Sequence, residues 1–141
     1  MKTINILKLR LYGKLKTRQK RLYYNKNIKR PMTYELKESR DWYNYIKLCI
    51  IEKLGKDINN NYPYDTPIIV YVNFYLQRPK SRPKKYIYPD KKPDLDNLEK
   101  ILYDAMQGII YTNDSRIIEK HVKKEYGQEG LNIEVYTIQY L

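Results

Sequence analysis

Nine consecutive residues, Ile68-Ile69-Val70-Tyr71-Val72-Asn73-Phe74-Tyr75-Leu76, are β-branched or aromatic at nearly every position and follow directly on Pro67. A run that short and that apolar reads as a strand, and its lack of a polar face marks it as a central one. The rest of the chain must therefore supply flanking strands and a layer to cover them. Ile4 to Leu11 offers one strand, with Leu7, Leu9 and Leu11 alternating with Lys8 and Arg10. Leu131, Ile133, Val135 and Thr137 alternate in the same way near the other end. Between them, Arg116 to Tyr126 fits either a strand with lysines on alternate sites or a helix. The turn Gly127-Gln128-Glu129-Gly130 favours the strand, paired with the last one as a hairpin.

Two helices can provide the covering layer. Thr33 is a candidate N-cap, with Glu35, Glu38 and Asp41 near the front of a helix that runs to Leu54 and stops at Gly55. Its buried stripe would be Trp42, Ile46, Cys49, Ile50 and Leu54. A polar loop, Asp57 to Asp65 with Asn59-Asn60-Asn61, separates it from Pro67. The second helix begins near Leu98, because Leu98, Ile101, Leu102, Ala105 and Ile109 recur at helical intervals and Gly108 is a candidate C-cap. The expectation is one α/β domain over residues 1–141, of the α+β two-layer kind and order β-α-β-α-β-β, with a mixed sheet packed by two helices. A chain of 141 residues is long enough for this, since domains of that size bury roughly 70% of their unfolded surface.

Charge is what narrows the function. The formal net charge is +12, and it is not evenly spread. Residues 14–30 hold eight Lys and Arg (Lys14, Lys16, Arg18, Lys20, Arg21, Lys26, Lys29, Arg30) with no acid, interleaved with Tyr23 and Tyr24. Residues 77–92 hold seven (Arg78, Lys80, Arg82, Lys84, Lys85, Lys91, Lys92) against Asp90 alone, with three prolines and two tyrosines, Tyr86 and Tyr88. Both read as loops that lie along phosphates, the second mobile without its ligand. The single cysteine, Cys49, excludes an internal disulfide and a cysteine-based metal site, which fits a reducing, intracellular setting. No apolar run is long enough to span a membrane and the start lacks a signal peptide's apolar stretch, so a soluble, cytoplasmic protein is expected.

Inside this basic chain, acids gather in one stretch: Asp94, Asp96 and Asp104, with Asn97 and Lys100 among them and Asp114 just beyond. Asp94 and Asp96 would share a side in an extended segment, and Asp96, Lys100 and Asp104 are successive i, i+4 neighbours on a helix. Clustered carboxylates raise one another's pKa unless something neutralises them, and a hard divalent cation, Mg²⁺ or Mn²⁺, would do so. Such an ion with a phosphate-binding surface suits phosphodiester hydrolysis, and Lys100 could hold the scissile phosphate. A plainer reading stays open. Asp-x-Asp at a helix start caps helices, an aspartate in Asn113-Asp114-Ser115 forms turns, and Lys100 can be a solvated i, i+4 partner. His121, the only histidine, reads as strand surface. On that plainer reading the protein is a non-catalytic nucleic-acid binder.

Three runs resemble a known family: Lys92-Pro93-Asp94-Leu95-Asp96-Asn97-Leu98-Glu99-Lys100, then Leu102-Tyr103-Asp104-Ala105-Met106, then Gly108-Ile109-Ile110-Tyr111-Thr112-Asn113-Asp114. They look like the Asp-x-Asp-Asn-x-x-Lys run, the following Asp-Ala pair and the post-turn aspartate of the RusA-type Holliday junction resolvases (crossover junction endodeoxyribonucleases), encoded by phages and prophages as well as bacteria. The resemblance implies a small α/β homodimer that nicks four-way DNA with Mg²⁺, one strand per subunit. By position, it makes Asp94, Asp96 and Asp114 the metal-binding carboxylates and Lys100 the catalytic lysine. Asn97 and Asp104 would then support them, Asp104 behind Lys100. Many relatives carry paired aspartates where this chain has Asn113-Asp114, and prolines in the N-terminal loop where it has Leu15-Lys16-Thr17-Arg18. A metal nuclease for another branched DNA is the neighbouring possibility.

Overall fold

A computed structural model describes residues 1–18, 20–56 and 62–140. Its central feature is the expected strand, β4 (Ile68–Leu76), which is hydrogen-bonded on both sides. The sheet order is β1 (Lys2–Tyr12), β6 (Gly130–Gln139), β4, β5 (Ile117–Tyr126). β6 runs antiparallel to both β1 and β4, whereas β5 is parallel to β4. A parallel neighbour needs a long crossover. That crossover contains α2 (Leu95–Met106), which carries Asp96 and Asp104 and follows directly on Asp94.

α1 (Lys37–Leu54) and α2 pack against each other and against the sheet, giving the predicted two layers in one domain. The core lies between them. Ile68, Val70, Val72 and Phe74 of β4 meet Leu131, Ile133 and Val135 of β6, with Trp42, Ile46 and Ile50 from α1 and Leu98, Ile101, Leu102, Ala105 and Met106 from α2. Complete burial of a leucine such as Leu102 contributes about 1.5–3 kcal/mol. Along β4 the alternate residues Ile69, Tyr71, Asn73 and Tyr75 stay at least partly exposed, so the strand is central by pairing but covered on one face. In β1 a bulge between Asn5 and Leu7 turns both Ile6 and Leu7 into the core.

Three expectations change. First, the C-terminal strands are not a hairpin: β4 lies between β5 and β6, and the link crosses its end, where Gly127 N donates to Leu76 O. Alternation marks a strand's faces, not its partner. Second, residues 14–30 are not wholly a loop, because β2 (Lys20–Asn25) pairs with β3 (Arg30–Glu35) as a separate two-stranded sheet. Asn25 closes its turn by accepting from the amides of Asn27 and Ile28. Third, Thr33 and Glu35 belong to β3, so α1 starts at Lys37 after Leu36 with no side-chain cap, although it ends at Leu54 and Gly55 as predicted. Most of the polar loop expected over Asp57–Asp65, including Asn59-Asn60-Asn61, lies outside the described residues.

Candidate active site

Asp94 is the residue at which the extended chain turns into α2, with φ −75 and ψ 148, and its carboxylate makes no capping bond. Asp96 lies in the first turn of α2, so the two acids are not on one pleated face as an extended reading required. The helical ridge does form. Asp96 and Lys100 are exposed and Asp104 is half-buried, on the side away from Leu98, Ile101, Leu102 and Ala105. Among the described residues, neither Asp94, Asp96 nor Lys100 has a hydrogen-bond or ion-pair partner for its side chain. Asp104 faces Arg18, at 3.7 Å, instead of Lys100. Asp94 and Asn97 line a hollow with Thr17, Lys92 and Pro93.

Asp114 opens a short 3-10 turn, Asp114–Arg116. The turn's side-chain bond comes from Asn113, whose Oδ1 accepts from Ser115 N at 2.9 Å, while Asp114 is held by its backbone alone, its N–H donated to Gln107 Oε1 and its carbonyl accepting from Ile117 N. The loop is fixed from below. Tyr64 N donates to Ile110 O, Thr112 N to Tyr64 O, and Asp65 accepts from Thr112 and pairs with Arg116. Tyr111 is fully buried beneath, its hydroxyl donating to Tyr103 O at 2.8 Å. Burial, and then the charges of Asp114 and Asp104, push the Tyr111 phenol well above its ordinary value. Burial and a bond to Glu99 do the same to Tyr103. Both phenols stay protonated at neutral pH and are not bases.

Two lysines of β5 escaped the sequence reading. Lys120, Val122 and Lys124 alternate with exposed Glu119, His121 and Lys123, and the first set meets α2 and the loop before it. Lys124 Nζ donates to Lys91 O at 2.9 Å and Pro93 O at 3.0 Å, the carbonyls just ahead of Asp94. Lys120 Nζ reaches the buried Glu99 at 2.9 Å. The only signal was the spacing of two lysines on an edge strand. His121 is at the surface as expected, stacked on Tyr71 at 4.5 Å.

The basic residues divide by task. Arg78 donates to the carbonyls of Pro83, Lys84 and Tyr86, and Arg82 pairs with Asp90 at 2.6 Å while lying over the Tyr86 ring. These two arginines tie segment 77–92 together, more tightly than a mobile loop implied. Arg18 approaches Glu35 at 3.3 Å as an ion pair without hydrogen-bond alignment, and stacks over Tyr43. Lys14, Arg21, Lys80, Lys84, Lys85, Lys91 and Lys92 are exposed, and Lys16 is half-exposed. Lys20 begins β2, and its side chain lies outside the described set.

Among the described residues, no three His, Cys, Asp or Glu side chains come together as a metal cage, so Asp94, Asp96 and Asp114 are not gathered in one closed set. An ion of the Mg²⁺ class does not need such a cage. It is commonly held by one or two carboxylates, with waters and substrate phosphate oxygens completing the shell. The unpartnered Asp94 and Asp96 at the head of α2 fit that donor set.

The chain is 33% identical to an uncharacterized protein, YqaN, of Bacillus subtilis (strain 168), over 45% of this chain and 51% of that one. It thus spans about half the length of the curated relative it matches. The family model described as endodeoxyribonuclease RusA matches residues 15–136, which include the basic segment 77–92, all of the first basic segment but Lys14, α2 and Asp114. The chain belongs to the RusA endodeoxyribonuclease family.

Proposed function

We propose that the protein is a Mg²⁺-dependent, structure-selective endodeoxyribonuclease that resolves four-way DNA junctions by paired nicks as a homodimer. The observation that carries this is the idleness of the acids: Asp94 caps nothing, Asp114 leaves its turn to Asn113, and Asp96 has no partner among the described residues. Exposed carboxylates without a structural task, in a chain of net charge +12, are ligands waiting for a cation. Asp94 and Asp96 would hold the ion, whereas Asp114 stands beyond the other end of α2, its N–H on Gln107, and is a third ligand on the family resemblance alone. Mn²⁺ satisfies the same oxygen donors. An ion held there would supply Lewis acidity toward phosphate and make a water more acidic. Lys100, one turn beyond Asp96, offsets charge on the scissile phosphate. The exposed lysines of the two basic segments hold the flanking DNA through phosphate contacts, and a two-fold protein matches a two-fold junction.

Asp96→Asn is expected to bind junction DNA in EDTA like wild type and to nick it in Mg²⁺ more slowly by on the order of 100-fold, the scale of losing one preorganised electrostatic group. Labelled four-way, flap, fork and linear DNA in one assay reads both quantities. Undiminished nicking by Asp96→Asn removes the metal assignment. Wild type that binds all four DNAs but nicks none is the non-catalytic binder, and preferential cutting of flap or fork reassigns the substrate.

A further inference from the structure

Among the described residues, the β2–β3 sheet hydrogen-bonds to no other strand. A two-stranded hairpin is marginal in water, so what holds it and what it presents both need an account. Its base is tied to the active-site helix. Glu35, the last residue of β3, faces Arg18, and Arg18 faces Asp104 of α2. Ser39 Oγ, in the first turns of α1, donates to Thr17 O beside it. The hairpin therefore projects from the edge of the carboxylate ridge.

Its two faces differ. On one, Tyr23 packs edge-on against Tyr34 at 5.7 Å and donates to Met32 Sδ, so these rings partly cover each other, with 41% and 48% of their surface exposed. On the other, Leu22 and Tyr24 stand two residues apart, opposite Thr33 and Pro31, with 73% and 60% of their surface exposed. Around the turn, Lys26, Lys29 and Arg30 are exposed, Arg21 is exposed at the base opposite Tyr34, and the only acid in the hairpin is the already paired Glu35. A bare leucine and tyrosine beside a cationic turn match a polyanion that offers flat apolar faces. Bases that have lost a stacking neighbour at a DNA branch point have that chemistry, whereas paired duplex hides its base faces.

We propose that the β2–β3 hairpin is the branch-recognition element: Leu22 and Tyr24 stack on the unstacked bases at the crossover while the turn's cations hold the strands leaving it. This rests on the reading of the chain as a nuclease for branched DNA. It assigns discrimination between branched and linear DNA to the hairpin, and phosphodiester cleavage to α2 and its neighbours.

The test uses the full chain with metal-free junctions carrying 5-iodouracil at or away from the crossover, irradiated and mapped by mass spectrometry. Crosslinks to Tyr24 are expected from the crossover position only. The double variant Leu22→Ser/Tyr24→Ser alters only exposed side chains. It should bind linear duplex like wild type and lose roughly tenfold of its preference for junctions, the scale of one stacked base. An unchanged junction preference, or crosslinks that avoid the hairpin while wild type still nicks junctions in Mg²⁺, overturns the assignment alone. Crosslinks to Tyr24 without nicking by wild type leave the hairpin standing and overturn the nuclease reading. A variant that turns monomeric by sedimentation, with no crosslink in wild type, makes the patch a contact between two copies and also overturns it.

Discussion

Lys124 shows how a residue far in sequence can govern a site. Its ammonium, half-buried on β5, bonds two carbonyls at 2.9 and 3.0 Å immediately before Asp94. Hydrogen bonds to a charged group are each worth about 1.5–3 kcal/mol. They fix where the chain enters α2, hence where Asp94 and Asp96 point. Lys124→Met is expected to slow nicking roughly 10- to 100-fold, the scale set by small misplacements of reacting groups. Junction affinity in EDTA should fall much less, because the exposed lysines that meet phosphate are untouched. Single-turnover rates beside binding isotherms decide this: equal losses in both would make Lys124 a DNA contact instead. As candidates, Asp94, Asp96 and Lys100 can be picked out residue by residue because their motif is local. Lys124 cannot, because its partners are backbone carbonyls more than thirty positions away, and carbonyls leave no mark in a side-chain pattern.

At the level of elements, segment 77–92 and the hairpin answer the same composition in different ways. Both are basic, and one is a looped strap while the other is a sheet. Arg78 closes the strap with three carbonyl contacts and lies over Tyr126 at 4.9 Å, anchoring it to the end of β5. Arg78→Ala should open it. Limited trypsin digestion should then cut at Lys80, Lys84 or Lys85 several times faster than in wild type, whereas Lys84→Ala should leave the strap closed and only reduce the salt dependence of DNA binding. Equal digestion of wild type and Arg78→Ala would show that the prolines alone hold the strap. Charge counting picks out the two basic segments as segments and can do no more. It does not separate arginines that bond their own loop from lysines that face solvent.

For the molecule as a whole, the buried phenols set the alkaline limit of stability. Tyr103 and Tyr111 have pKa values raised above the ordinary 10.0 by burial first and by neighbouring carboxylates second. Below pH 10 both folded and unfolded chains keep these protons and the groups contribute no slope. Above it the unfolded chain releases them and the folded one does not, so stability falls as pH rises, by up to about 1.4 kcal/mol per pH unit for the fully buried Tyr111. Tyr111→Phe should start less stable at pH 8, by about 1 kcal/mol for the lost bond to Tyr103 O, and decline more shallowly between pH 10 and 12. Urea titrations across that range give both numbers, and parallel slopes would refute the assignment. Gly130 is a second global constraint: at φ +149 a side chain there would collide with the Leu11 carbonyl where β6 meets β1. Residue order alone was enough for the strand Ile68–Leu76, the two covering helices, the acid-bearing motif and the segregation of charge, since each depends on side-chain periodicity or composition within a short window. The insertion of β4 between β5 and β6, the pairing of β2 with β3, and the freeing of Asp94 and Asp114 from capping and turn duties depended on the folded arrangement. Backbone pairing and the choice among equivalent hydrogen-bond donors are settled by what lies across space, and no local pattern encodes that.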